Sequence, residues 1–240
     1  PHVTVTLSHE VAPTFREYER ASTTVVNAYV MTALAAYLRG LASATARRGY
    51  RGRLFVMQSS GGVATAEAMQ RHPVRMIESG PAAGALMAAA YGELTGHSDL
   101  IAFDMGGTTA KLALIEKGRP GTTTAFELHR VNNAPGSGLP MNIQAIDVVE
   151  IGAGGGSIAS ARLGVIAVGP ESASSMPGPV CYGRGGAEPT VTDADVVLGY
   201  VNPDYFAGGA MRLEAGAAAL AIEVKIARPL GLSLEEAAWG

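Results

Sequence analysis

The sequence predicts an α/β chain in which short apolar strands run into glycine-rich bends. Three observations predict it. From Glu17 to Ala46 apolar residues recur at helical spacing. Apolar runs of strand length stand at Leu54–Met57, Leu100–Phe103 and Ile146–Ile151. The 31 glycines cluster, and the densest clusters follow two of those runs.

Along the chain, His2-Val3-Thr4-Val5-Thr6-Leu7 alternates and predicts a first strand. The helix over Glu17 to Ala46 carries Tyr29, Leu34, Tyr37, Leu38 and Leu41 at near-helical spacing, and Gly49 closes it. Arg16, Glu17, Glu19 and Arg20 read as its solvated first turns. Leu54–Met57 leads into a polar turn, Gln58-Ser59-Ser60-Gly61-Gly62. Pro81 suits the first position of a helix running to about Tyr91, where its missing N–H is not needed. That helix shows mostly Ala and Gly, so it contributes little burial but lets neighbouring backbone come close.

The run Leu100–Phe103 predicts a strand buried on both faces, ending at Asp104. Met105-Gly106-Gly107-Thr108-Thr109 then bends the chain into a second strand, Ala110 to Ile115, and Lys117-Gly118 turns it again. Residues 132–142 read as loop. The strand Ile146–Ile151 ends in Gly152-Ala153-Gly154-Gly155-Gly156-Ser157, and Ile158 to Val168 reads as strand or hairpin. Residues 164–189 are Gly- and Pro-rich and irregular. Thr192-Asp193-Ala194-Asp195 opens a helix through Leu198, and another runs from Leu213 to about Ala227. Ser233 and Glu236 have capping-box spacing four residues from the last residue, and the first residue is Pro1; both suggest part of a longer polypeptide.

Composition narrows the function classes. With 48% hydrophobic and 16% charged residues, most of the chain should be packed. A net charge of −3 argues against nucleic-acid or anionic-membrane partners, which need a basic excess. No unbroken run of 18 apolar residues suggests a bilayer span, and no leader pattern appears. The single Cys181 excludes an internal disulfide and fits a reducing cytoplasm.

The bend at 104–109 carries the most chemistry. An aspartate at a strand end, two glycines and two threonines suit a phosphate-and-magnesium site. Glycine lets backbone N–H groups approach phosphate oxygens, threonine hydroxyls donate to the same oxygens, and Asp104 can hold a hydrated Mg2+ or orient a water. The alternative is a tight β-turn with a capping aspartate. A P-loop is excluded, because no G-x-x-x-x-G-K-[ST] leads into a helix. Gly152–Ser157 is not a dinucleotide fingerprint, since Ser157 replaces its third glycine and a strand follows. That run is either a loop facing nucleotide or substrate, or a structural turn.

Other candidates are weaker. Lys111 lies on a strand and its role stays open. Cys181 has no histidine near it in sequence and reads as a buried thiol. Asp193 and Asp195 could ligate a metal, but Thr192-Asp193 at a helix start suits capping. His2, His9, His72, His97 and His129 are too scattered for a ligand set.

Seven segments in order resemble the hydantoinase A/oxoprolinase family. They are Leu7-Ser8-His9-Glu10 with Tyr18-Glu19-Arg20, Glu78–Gly84, Phe103–Thr109, Ile151–Ile158, Gly169–Ala173, Pro177–Gly183 and Pro189–Ala194. The resemblance implies a ribonuclease-H-like fold of the actin, hexokinase and heat-shock ATPase type. By that analogy residues 1–79 are part of a first lobe, 80–97 a connector helix, and 98–240 most of a second lobe. The bend at 104–109 would be the second phosphate loop. The family's N-terminal Asp-x-Gly-Gly-Thr hairpin and downstream Gly-Gly-Ala-Gly-Pro segment are not in this sequence, so the chain would hold about half of an ATP site and be inactive alone.

The resemblance further implies ATP with Mg2+ or Mn2+, and ring opening of cyclic amides such as hydantoins or 5-oxoproline, or carboxylation of ketones. It also implies a second, hydantoinase B-like subunit or domain. On this basis Asp104 is the expected catalytic and metal-binding residue, and Gly106, Gly107, Thr108, Thr109, Gly154, Gly155, Gly156 and Ser157 bind phosphate or line the nucleotide. Where oxoprolinases read Thr-Ser-Thr-Asp, this chain has Thr108-Thr109-Ala110-Lys111, closer to the hydantoin-hydrolysing and carboxylase branch. Ser60 and Glu150 also depart from the family pattern, which weakens inference about the substrate but not the fold.

Overall fold

A computed structural model describes residues 4–128, 130 and 134–240. Residues 1–3, His129 and residues 131–133 lie outside them, the last two of these belonging to the expected loop. The chain is mixed α/β and divides into two compact units, residues 1–102 with 112–148 and residues 103–111 with 149–240. This division differs from the expected 1–79, 80–97 and 98–240. The helix expected as a connector packs its small-residue face onto strands of the first unit, and residues 112–148 pack there too.

In the first unit, residues 4–7 are not a strand; the chain instead enters a short helix, α1 (Ser8–Val11). Helix α2 (Glu17–Arg47) follows, one residue longer than the periodicity predicts. Its buried face carries polar groups as well as Val26, Met31 and Leu38. Thr23 donates to the Glu19 carbonyl and accepts the Asn142 N–H at 2.8 Å, and Ser22 donates to the Pro140 carbonyl. Asn27 donates to the Arg71 carbonyl at 3.0 Å and accepts the Val74 N–H at 3.2 Å. By length and composition α2 could cross a membrane, which counting unbroken apolar runs had not shown, because its Ser, Thr, Asn, Gly and Arg residues interrupt such runs while Ala, Val, Leu and Met keep its mean hydropathy high. Those buried hydrogen bonds instead pin one face of it to its own unit.

Strands β1 (Phe55–Met57) and β2 (Val63–Thr65) form a hairpin around the predicted turn, and α3 (Ala66–Met69) follows. Helix α4 (Ser79–Thr95) begins two residues before Pro81 and ends at Gly96, whose φ of 77° gives the left-handed stop. Ala82 and Ala85 pack against Ala113 and Ile146. A methyl on Gly92 would lie 2.5 Å from the His97 carbonyl oxygen, so close approach is real there, whereas Gly80 and Gly84 face open space.

Strands β3 (Leu100–Met105) and β4 (Ala110–Glu116) pair around the bend at 106–109. The expectation that β3 is buried on both faces is not met. Leu100 and Ala102 are partly buried, but Ile101 and Phe103 are 64% and 60% exposed, because packing covers one face only. Lys117 and Gly118, both at positive φ, turn β4 into β5 (Arg119–Pro120). Among the described residues four further short strands belong to the unit: β6 (Thr122–Thr123), β7 (Phe126–Leu128), β8 (Leu139–Met141) and β9 (Ala145–Ile146), pairing β6 with β9 and β7 with β8. Their core joins Met141 and Ile143 to Val11, Val26 and Val74.

The second unit holds the bend itself. The expected strand Ile146–Ile151 is broken at Asp147–Val148, and its second piece, β10 (Val149–Ile151), leads into the glycine run. The antiparallel hairpin β11 (Ser157–Arg162) and β12 (Val165–Ser172) follows. Helix α5 (Val191–Val197) is closed at its start by a capping box between Thr190 and Asp193, two residues earlier than the sequence reading placed the start. Helix α6 (Ala215–Ile222) continues through a π-helical turn, Glu223–Ala227, into α7 (Arg228–Leu230). Helix α8 (Leu234–Trp239) forms behind its Ser233/Glu236 capping box. One core gathers Cys181, Val196, Leu213 and Ala218, and another Ile222, Ile226, Ala227 and Ala237.

Candidate functional site

The two glycine-rich segments meet within the second unit. Gly155 N–H donates to the Gly106 carbonyl at 2.9 Å, and Gly156 N–H to the Gly107 carbonyl at 2.6 Å. Gly154 N–H donates to the Ser157 hydroxyl at 2.9 Å, and Ser157 N–H to the Gly154 carbonyl at 2.9 Å. All four N–H groups from 154 to 157 are therefore engaged inside the protein. Gly154, Gly156 and Ser157 are also buried. The expectation that these four residues contact phosphate directly meets that obstacle: their donors already have acceptors. Glycine is required here for proximity, since a methyl on Gly154 would lie 2.7 Å from the Gly106 oxygen and the Thr108 nitrogen.

The bend at 106–109 is the opposite case. Asp104, Gly106, Gly107 and Thr108 are exposed and Thr109 is partly buried. Gly106 N–H closes the turn on the Thr109 carbonyl at 2.9 Å. Among the described residues Gly107, Thr108 and Thr109 make no hydrogen bond through N–H or hydroxyl. A methyl on Gly107 would meet nothing within 4 Å.

Peptide planarity gives these free donors a direction. In a trans peptide the C=O of one residue and the N–H of the next point opposite ways. The Gly106 and Gly107 carbonyls are held toward the buried glycine run, so the N–H groups of Gly107 and Thr108 are aimed away from it. Two adjacent donors pointing outward at an exposed bend are an arrangement whose chemistry suits an anion.

A metal would find one carboxylate here. Among the described residues no three His, Cys, Asp or Glu side chains gather where they could hold an ion together. Mg2+ bound through substrate phosphates needs only one or two protein carboxylates, its remaining positions being water, so Asp104 beside this bend fits that mode. Lys111 is partly buried on β4. Asp193 is no candidate ligand. Its carboxylate accepts the N–H groups of Val180, Cys181 and Thr190 at 3.1, 2.7 and 2.8 Å, and the Thr190 hydroxyl at 2.9 Å. Cys181 is fully buried, and burial together with Asp193 pushes its thiol far above the ordinary range, so the reactive thiolate is disfavoured.

The sequence reading missed the outer support of the site. Thr192 sends both its N–H and its hydroxyl to the Gly155 carbonyl, each at 2.8 Å, and Ala173 N–H donates to the Gly156 carbonyl at 2.8 Å. The only signal in the sequence was Thr-x-Thr-Asp, which reads as a helix cap.

The sequence model of the hydantoinase/oxoprolinase family matches residues 20–240. The chain belongs to this family. Caprolactamase subunit alpha of Pseudomonas jessenii is 42% identical over 241 residues, which cover 100% of this chain and 34% of that protein. Among solved structures, a nucleotide-free acetone carboxylase superimposes with a TM-score of 0.75 at 32% identity, covering 96% of this chain and 31% of its own. An ATP-dependent caprolactamase from Pseudomonas jessenii gives a TM-score of 0.73 at 39% identity, covering 97% of this chain and 33% of its own. The chain thus spans about a third of the length of these hydantoinase/oxoprolinase relatives.

Proposed function

We propose that this chain carries a phosphate-binding bend of an ATP-dependent enzyme with an actin-like fold, and that the complete protein opens cyclic amides. One observation carries the reading: the exposed 106–109 bend, whose Gly107 and Thr108 N–H groups are aimed outward and have no acceptor among the described residues. Likeness to the ATP-dependent caprolactamase supports ATP as the anion. ATP with Mg2+ supplies a transferable phosphoryl group that turns an amide oxygen into a better leaving group.

The residues named here work by position and charge, as phosphoryl transfer generally requires. Gly107 and Thr108 donate backbone N–H groups, and Thr108 and Thr109 hydroxyls, to phosphate oxygens. Asp104 holds the hydrated metal or orients water. Gly154–Ser157 support the bend from behind. A second subunit would complete the enzyme, as the name "subunit alpha" of the caprolactamase relative suggests.

The test is turnover by the complete protein with its partner subunit, assayed with hydantoins, lactams and 5-oxoproline. Asp104→Ala should cut ATP-dependent turnover by about 100-fold or more if this carboxylate serves the metal or water. Normal turnover would remove Asp104 from the mechanism. Likeness to acetone carboxylase supports a second reading, ketone carboxylation; ATP hydrolysis that requires both bicarbonate and a ketone would select it. In a third, the bend only senses nucleotide while the partner does the chemistry. Tight ATP binding without phosphoryl transfer in the complete isolated subunit would select that one.

A further inference from the structure

We propose that Thr192 is a positioning residue that sets the aim of the phosphate-binding donors through two rigid peptide units. The inference rests on the reading of 106–109 as a phosphate-binding bend. Thr192 stands at the second position of α5, where capping is already done by Thr190 and Asp193. Its hydroxyl leaves the helix and donates to the Gly155 carbonyl at 2.8 Å, beside its own N–H at the same distance. The fit is close, since a methyl on Gly155 would lie 2.7 Å from the Thr192 hydroxyl oxygen.

The peptide unit joining Gly155 to Gly156 then acts as a strut. Thr192 holds its oxygen end, and its N–H end donates to the Gly107 carbonyl at 2.6 Å. The next strut is the unit joining Gly107 to Thr108. Gly156 holds its oxygen end, and its other end is the Thr108 N–H. Because each trans unit is planar, turning the first about its ends turns the second. A hydroxyl two peptide units away therefore governs a donor it does not touch. Ala173 N–H on the Gly156 carbonyl limits the same strut from the neighbouring unit.

Thr192→Val removes the hydroxyl, keeps the branched shape and leaves the backbone N–H bond in place. Thr192→Ser restores the hydroxyl. Two measurements are made on the complete protein. In the ligand-free state, Thr192→Val should speed amide exchange at Gly156 about 5-fold, the worth of one net hydrogen bond, and Thr192→Ser should return it to the parent rate. In steady-state assays Thr192→Val should raise KM for ATP about 5-fold with kcat within about 2-fold, and Thr192→Ser should recover it. An unchanged Gly156 exchange rate overturns the proposal. So does a fall in kcat at constant KM, the mark of a smaller folded fraction. If the parent protein neither binds nor hydrolyses ATP, the phosphate reading fails, while the exchange measurement still decides whether Thr192 holds the bend.

Discussion

The bends at 104–109 and 152–157 have similar composition and opposite construction. The first is exposed, with backbone donors that have no acceptor among the described residues; the second is largely buried, with every N–H from 154 to 157 engaged. Glycine serves a different purpose in each. At Gly107 it leaves room on the outer side of the chain, and at Gly154 it lets two backbones touch. A glycine-rich stretch thus identifies itself as ligand-facing or structural only through where its donors go.

Gly154→Ala should have the largest effect. The new methyl would press on the Gly106 oxygen and on the nitrogen and carbonyl carbon of Thr108, all at 2.7 Å, and backbone atoms cannot swing aside as a side-chain tip can. A loss of about 3 kcal/mol is expected, read as a lower midpoint in denaturant at unchanged slope. Gly107→Ala sharpens the contrast. It meets no neighbour and its φ lies outside the left-handed region, so stability should stay within about 0.5 kcal/mol. ATP affinity should instead fall about 10-fold, because the methyl enters the space a phosphate would use. A Gly107→Ala protein that binds ATP normally would break the comparison at its exposed end.

Much of this was legible in sequence. Helix α2 over 17–47, the β3–β4 pairing, the hairpin after Gly156 and the Ser233/Glu236 capping box follow from apolar spacing and end signals that act within a few residues. The failures are tertiary. Ile101 and Phe103 have the apolar run of a doubly buried strand, yet nothing in such a run records whether a second layer covers it. The residues of α4 mark it as a close-packing helix without saying which strands it packs on. Ser157 entered the candidate site through the family resemblance, and its burial beside Ser172 of β12 is a matter of packing that its immediate neighbours do not record.

Ser157→Ala tests that last point from the structural side. The hydroxyl accepts the Gly154 N–H, and alanine leaves that donor buried without an acceptor, at a cost of about 1 kcal/mol. Thermal unfolding should register the loss while ATP affinity changes little. Undiminished stability with abolished ATP binding would return Ser157 to the phosphate-facing side and erase the distinction between the two bends.

The smallest expected effect lies in α5, the helix that anchors the buried bend. Asp193 and Asp195 stand two positions apart but differ in support. Asp193 has four donors around its carboxylate, whereas burial raises the carboxyl pKa of Asp195 with no compensating interaction among the causes of its shift. A raised value in the folded state means that folding favours the protonated acid. Its contribution is fully present below the ordinary value near 3.8 and is lost as pH rises through the folded value. At neutral pH the ionised Asp195 therefore weakens the helix. Asp195→Asn should stabilise the protein at pH 7 by about 0.5 kcal/mol, discounted for partial solvent access, and the gain should vanish in acid below the ordinary carboxylate value. Unfolding curves of both proteins across pH measure this directly; a gain that persists unchanged in acid would show that burial of charge is not its source. Because the substitution spares Thr192 and the Gly155 carbonyl, ATP affinity should not follow the change in stability. A correlated change would mean that the bend answers to the stability of α5 as a whole, and that the Thr192 contact has no separate part in aiming the Thr108 N–H.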